Sequence, residues 1–243
     1  MVRLKTRLEA VLKSVPYGSA FLDVGCDHAY VAIALVERGF CPCGVASDIR
    51  PGPLEAAEAH IREAGFTDRI VTALSDGVPA DAAGCLKKAG WQTDTPVTLI
   101  TAGMGGRMMM DILARADKAL LRYYVASPQR DVPLFRSYLS EAGFRITGES
   151  FVEEDGKFYP VIVSERTGEA VRHLTYEEAL LGPCLMRSEN ETYMRFVQKR
   201  LKILRGIHAQ LPPEEELKRV ETAREIEALD HFLKRGGDYV RYG

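Results

Sequence analysis

The run Phe21-Leu22-Asp23-Val24-Gly25-Cys26-Asp27-His28-Ala29-Tyr30 limits the folds open to this chain more than any other stretch. A short apolar segment ends in an acid, turns on a glycine and passes at once into Val31-Ala32-Ile33-Ala34-Leu35-Val36. An apolar segment without polar alternation reads as a buried parallel strand. Followed by a glycine turn and a helix, it opens an α/β sheet that takes its ligand at the carboxyl ends of the strands. Ala46-Ser47-Asp48 and Ser75-Asp76-Gly77 fall where the second and third strands of such a sheet would end.

The rest of the chain fits this frame. Leu4, Leu8, Val11, Leu12 and Val15 have helical spacing with basic residues between, and Pro16-Tyr17-Gly18 ends that helix. Strands are predicted at 20–24, 44–48, 69–74, 97–102 and 121–126. Helices are predicted from His28 to Arg38, 54–64, within 78–90, 107–116 and 133–142. Strict alternation of strand and helix is the signature of a doubly wound parallel sheet. The pattern then changes: 144–153 and 157–164 read as two strands joined by Asp155-Gly156, which suits a tight hairpin turn. A parallel sheet finished by a hairpin is the layout of a class I methyltransferase, whose last strand runs antiparallel.

After Gly168 helical periodicity takes over. Tyr193, Phe196, Val197, Leu201, Leu204, Ile207 and Leu211 form one stripe, and Leu217, Val220, Ala223, Ile226, Leu229, Phe232 and Leu233 another. Pro212-Pro213 separates them and Glu214 begins the second helix at its favourable acidic end. The expectation is a catalytic domain over 1–169 and an antiparallel helical hairpin over 170–243.

Bulk properties narrow the classes. The 243 residues carry a net charge of −2, which argues against non-specific coating of nucleic acid but leaves room for a local basic surface. The N-terminal residues hold no signal-peptide core and no apolar run approaches a membrane span, so a cytoplasmic location is expected. The five cysteines form no C-x-x-C pair, and the histidines show no metal spacing, so no metal is expected.

Asp27 decides between ligands. A dinucleotide site needs glycine at the second position of G-x-G-x-x-G so that backbone can approach the pyrophosphate. Here that position is Asp27 and the next motif glycine is Ala29. A carboxylate would repel pyrophosphate, whereas S-adenosylmethionine carries an ammonium and a sulfonium and welcomes one. The expected cofactor set is Asp23, Gly25, Cys26, Asp27 and His28 at the turn, Asp48 and Ile49 at the ribose, Asp76 and Gly77 at the adenine, and Ala102 and Gly103 after the fourth strand. Strand-end acids also cap the following helix, and that reading stands beside this one. Met104, Gly105, Pro128 and Gln129 lie on the same edge and are expected on the substrate side. Arg195, Lys199, Arg200, Lys202 and Arg205 form a basic segment that would grip RNA phosphates, or else is a solvated helix face.

Together, Asp23-Val24-Gly25-Cys26-Asp27-His28-Ala29-Tyr30, Ala102-Gly103-Met104-Gly105-Gly106, Glu154-Asp155-Gly156-Lys157-Phe158-Tyr159 and Leu174-Thr175 with Leu181-Gly182-Pro183 resemble the bacterial TrmK family. These are tRNA (adenine-22-N1)-methyltransferases. The resemblance implies a Rossmann-like catalytic domain, a C-terminal coiled-coil domain, and methylation of N1 of an adenine in the tRNA D-loop region. It assigns Gly25, Asp27 and His28 to the cofactor turn, Asp48 to the ribose and Asp76-Gly77 to the adenine. The chain departs from the family in carrying Asp48 where glutamate is usual, and Ser127-Pro128-Gln129 where a Q-P-N-like stretch is usual.

Adenine N1 has an in-plane lone pair, so the expected catalysis is alignment and desolvation. The adenine must be unpaired or extruded, because N1 lies on the Watson–Crick edge. Asp27 is the candidate to stabilise the cationic product ring, unless the cofactor ammonium occupies it. Three other readings remain at this point: a methyltransferase for another RNA position or a small molecule, a non-catalytic RNA-binding module on the same fold, and, least favoured, a nicotinamide oxidoreductase. Monomer and dimer are both open.

Overall fold

The computed structural model describes residues 2–169 and 171–239. The chain gathers into two compact units, 1–174 and 175–243.

The first unit is a seven-stranded sheet in the order β3-β2-β1-β4-β5-β7-β6. Strands β1 (Ala20–Val24), β2 (Gly44–Asp48), β3 (Ile70–Leu74), β4 (Val97–Ala102) and β5 (Tyr123–Ser127) are parallel. Strand β7 (Lys157–Arg166) pairs antiparallel with β5 and with the edge strand β6 (Phe144–Glu154). The chain reverses between β6 and β7 through Asp155 and Gly156 at φ 52° and 72°. Positive φ at both central residues is what a two-residue hairpin with the right strand twist requires.

The parallel strands β1, β2, β4 and β5 are covered on both faces, which is why their sequences lack a regular polar alternation. On one face Phe21, Ile100, Val125 and Val161 pack with Val11, Leu12, Leu54 and Ile61. These come from α1 (Thr6–Ser14) and α3 (Pro51–Glu63), and α2 (Tyr30–Glu37) lies with them, buried throughout from Val31 to Val36. On the other face Leu22, Leu99, Tyr124 and Ile162 pack with Leu86 of α4 (Ala82–Lys88), Met109 and Leu113 of α5 (Gly106–Arg115), and Phe135 and Leu139 of α6 (Val132–Glu141). Adjacent residues such as Phe21 and Leu22 therefore serve opposite cores.

Several boundaries differ from the sequence expectation, two of them at the ends that face the carboxyl edge. Helix α3 begins at Pro51, three residues earlier than expected, because proline suits a first turn whose N–H groups have no partner. Strand β5 is displaced to end at Ser127, which brings that hydroxyl into the strand end.

In the second unit a capping box opens the short helix α7 (Tyr176–Leu181): Thr175 Oγ1 accepts from Glu178 N–H, and Thr175 N–H donates to Glu178 Oε2. Helices α8 (Glu191–Gln210) and α9 (Glu216–Tyr239) form the hairpin. Asn190 caps α8, and Tyr193, Val197, Leu201 and Leu204 are buried, as are Ala228, Leu229 and Phe232 of α9. Packing weakens towards the turn, where Ile207, Leu217 and Val220 are exposed. The second helix starts at Glu216 rather than Glu214, since Glu215 N–H still closes a turn on Pro212.

Candidate active site

The loops after β1, β2, β3, β4 and β5 meet at the carboxyl edge of the sheet and are tied to one another by main-chain hydrogen bonds. Gly25 and Cys26 N–H both donate to Ser47 O, at 2.8 and 2.9 Å, fixing the first turn against β2. Ser75 N–H donates to Asp48 O at 2.9 Å, joining β3 to β2. Gln129 N–H donates to Met104 O at 3.0 Å and Gly106 N–H to Arg130 O at 2.9 Å, joining the β4 and β5 loops.

The first turn is built from left-handed backbone. Gly25, Asp27 and Ala29 have φ of 73°, 51° and 58°. Such conformations are strained for residues other than glycine, and Asp tolerates them best. The strain at Ala29 is held by its N–H to Cys26 O and by the α2 N-terminus that it begins. His28 does not cap that helix. Its main-chain carbonyl faces His60 Nδ1 at 3.2 Å, and its ring packs beside Tyr30 and His60.

Three carboxylates surround this turn. Asp48 is buried; its Oδ2 accepts Asp27 N–H at 3.2 Å and its Oδ1 accepts Arg50 N–H at 2.9 Å. Asp27 is exposed, with Oδ1 at 3.9 Å from His28 Nε2 and 3.7 Å from Arg50 Nη2. Asp23 is buried, and burial, reinforced by the Asp48 charge, pushes its carboxyl up to about 7. A cation arriving beside Asp23 would stabilise the ionised form, so binding would release a proton there. Cys26 is also buried, and its thiol is pushed well above the usual thiol range by burial and by Asp23 and Asp48. It is a packing residue of the turn, far from thiolate reactivity.

Asp76 lies at the end of the third strand, but its carboxylate is engaged: Arg115 of α5 donates to it at 2.9 and 3.3 Å, and this pairing holds the carboxyl below its usual range. Gly77 sits behind it with φ 96°. Ile49 and Leu74, both 60% exposed, flank the same strand ends as apolar surface. On the β4 side, Gly103 has φ 83°, and Met104 reaches back so that a Cβ placed on Gly25 would lie 2.9 Å from its Cε. Gly106 could carry no side chain, for a Cβ there would stand 2.9 Å from Arg130 O and 3.0 Å from Asp131 O. Gly105 closes the loop as the residue before α5. Pro128 is buried and Gln129 exposed on the β5 loop.

Among the described residues, three buried polar atoms at this edge have no hydrogen-bond partner: Arg7 Nη1, His28 Nδ1 and Ser127 Oγ. An unsatisfied buried polar atom is costly, and three converging on one edge suit a polar ligand with both donors and acceptors. S-adenosylmethionine, which carries an ammonium, a carboxylate and ribose hydroxyls, is a ligand of that kind. Sequence reasoning missed Arg7, Arg50 and Arg115. Arg50 stands two residues after Asp48 and could have been suspected; Arg7 and Arg115 come from helices distant in the chain, with no local signal.

The basic segment of α8 divides. Arg200 pairs with Glu225 at 2.8 and 3.2 Å and Arg205 with Asp230 at 2.7 Å, so both link α8 to α9. Lys199 and Lys202 are exposed, and Arg195 Nη2 donates to Thr192 Oγ1. The acids on α9 that neutralise two of the five cations were invisible in a single-helix reading.

With this geometry in place, the similarities of the chain become specific. The TrmK family, described as tRNA (adenine(22)-N(1))-methyltransferase, matches residues 21–231. A Bacillus subtilis protein named tRNA (adenine(22)-N(1))-methyltransferase is 26% identical over 218 residues, covering 86% of each chain. The crystal structure of a protein in the NADB-Rossmann superfamily from Streptococcus agalactiae aligns with a TM-score of 0.83 at 27% identity, covering 95% of this chain and 97% of that one. The structure of M. capricolum TrmK in complex with S-adenosyl-homocysteine aligns with a TM-score of 0.78 at 25% identity, covering 95% and 98%. A match over residues 21–231 takes in the sheet, its carboxyl edge and nearly all of the described helical hairpin, and it places this chain in the TrmK family of tRNA methyltransferases.

Proposed function

We propose that this chain methylates N1 of adenine 22 in tRNA with S-adenosylmethionine held at the carboxyl edge of the sheet, and that the residues gathered there divide the work as follows. The observation that carries the reading is the ring of Asp23, Asp27 and Asp48 around the Gly25 turn. S-adenosylmethionine supplies an electrophilic methyl group whose bonding electrons leave with sulfur. Asp48 accepts from the ribose hydroxyls, and Gly25 lets backbone approach the amino-acid end. Ile49 and Leu74 offer apolar surface to the adenine ring of the donor, with Gly77 leaving room for it.

On the acceptor side, Met104, Gly105, Pro128 and Gln129 form the wall facing the target base. The new N1–C bond takes the in-plane lone pair of adenine, and the ring stays cationic until N6 loses a proton. Fixed dipoles of the strand-end loops stabilise that charge. Asp27 serves the donor ammonium first. Asp27→Ala is expected to weaken S-adenosyl-homocysteine binding about tenfold or more, the scale of one charge-assisted hydrogen bond, as measured by calorimetry. Unchanged affinity with lost turnover would make Asp27 an acceptor-side residue instead.

The helical hairpin grips tRNA phosphates through the exposed Lys202, while Arg200 and Arg205 hold the hairpin together. Replacing Lys202 with glutamate is expected to weaken tRNA binding and to reduce the slope of log K against log salt by about 1, in filter-binding titrations at several salt concentrations. A parallel loss at all salt concentrations, with no change of slope, would contradict phosphate contact. Among the described residues no helix is long and apolar enough to cross a membrane. We place the enzyme in the cytoplasm with its tRNA substrate.

A further inference from the structure

Arg7 lies in the first turn of α1, where a cation opposes the helix dipole. Its main-chain N–H donates to Glu154 Oε2 at 2.9 Å, which fixes the start of the helix against the end of β6. Its guanidinium leaves the helix for the carboxyl edge of the sheet. Cζ lies 5.4 Å over the Tyr159 ring, and Nη1 stands 3.4 Å from where a Cβ on Gly103 would be. That nitrogen is buried and has no partner. The neighbouring residue, Met104, packs against Gly25, so Arg7 reaches the donor turn from the β4 side.

The donor's amino-acid end carries a carboxylate as well as an ammonium. Asp23 and Asp27 suit the ammonium and repel the carboxylate, which therefore needs a cation of its own. Three other arginines at this edge already face acids: Arg50 meets Asp27 and Asp48, Arg115 meets Asp76, and Arg107 lies 3.7 Å from Asp131. A buried guanidinium N–H with nothing to bond is costly, and a carboxylate is its best partner in both charge and geometry.

We infer that Arg7 binds the carboxylate of the donor's amino-acid end, with Tyr159 beneath the guanidinium and side-chain-free Gly103 leaving it access. The assignment rests on the cofactor reading given above. Titration of S-adenosyl-homocysteine and decarboxylated S-adenosylmethionine into the wild type, Arg7→Ala and Arg7→Lys tests it. Arg7→Ala should bind S-adenosyl-homocysteine about tenfold to a hundredfold more weakly, leave the decarboxylated ligand at wild-type affinity, and be largely rescued by lysine. Unchanged S-adenosyl-homocysteine affinity would overturn the assignment. Equal weakening of both ligands would make Arg7 a structural residue, and a loss confined to tRNA affinity would assign it to RNA phosphate. A wild-type protein that binds neither ligand would instead overturn the cofactor reading itself.

Discussion

Replacing Asp48 with alanine is expected to abolish measurable methyl transfer at ordinary cofactor concentrations and to weaken S-adenosyl-homocysteine binding by two orders of magnitude or more. Two losses combine. The ribose hydroxyls lose a charged acceptor, and charge-assisted hydrogen bonds contribute about 1.5–3 kcal/mol each. Asp48 is also the group that accepts Asp27 N–H and Arg50 N–H, so its removal loosens the turn and lets Asp27 shift. Asp48→Asn keeps an acceptor without the charge and should fall between. Asp48→Glu should stay near the wild type, since it keeps the charge and both acceptor oxygens. Calorimetry on the four proteins orders them. An alanine variant within threefold of the wild type would remove Asp48 from the cofactor site.

Gly25→Val should produce a folded protein that cannot bind the donor. At φ 73° a β-branched residue is strained, which is expected to lower stability by about 1–2 kcal/mol and the melting temperature by only a few degrees. The added Cβ meets only the flexible end of Met104, so the fold survives by moving that side chain. The displaced Met104 and the new side chain then occupy the space where the donor meets the acceptor. Circular dichroism and thermal melting should show a native protein, and calorimetry should show no S-adenosyl-homocysteine binding at concentrations that saturate the wild type. Retained binding would mean that the donor does not approach this turn.

The alternation of apolar segments with glycine turns made the sheet readable, because a parallel sheet covered on both faces writes apolar runs such as Phe21-Leu22 and Leu99-Ile100 into the chain. Asp155-Gly156 disclosed the hairpin for an equally local reason: both residues must take positive φ. Asp27 was legible as a departure from a dinucleotide motif, and its place beside Asp48 follows from the pairing of β1 with β2. What stayed hidden depends on distant partners. Nothing near Asp76 announces Arg115, thirty-nine residues on, which already engages the carboxylate read as an adenine contact. Nothing within α8 reveals that Arg200 and Arg205 answer to Glu225 and Asp230 on α9. Arg7 looked like one of several basic residues between apolar positions, and only the fold brings it beside Gly103.

The claim that unites these residues is methyl transfer to a single ring nitrogen of one tRNA base. The direct measurement is incubation of the purified protein with unmodified tRNA and methyl-labelled S-adenosylmethionine, followed by nuclease mapping of the labelled nucleoside, alongside a transcript with guanine in place of adenine 22. The account predicts one label, in 1-methyladenosine at position 22, and none in the altered transcript. Label on another base, on N6 of that adenine, or undiminished in the altered transcript would contradict it.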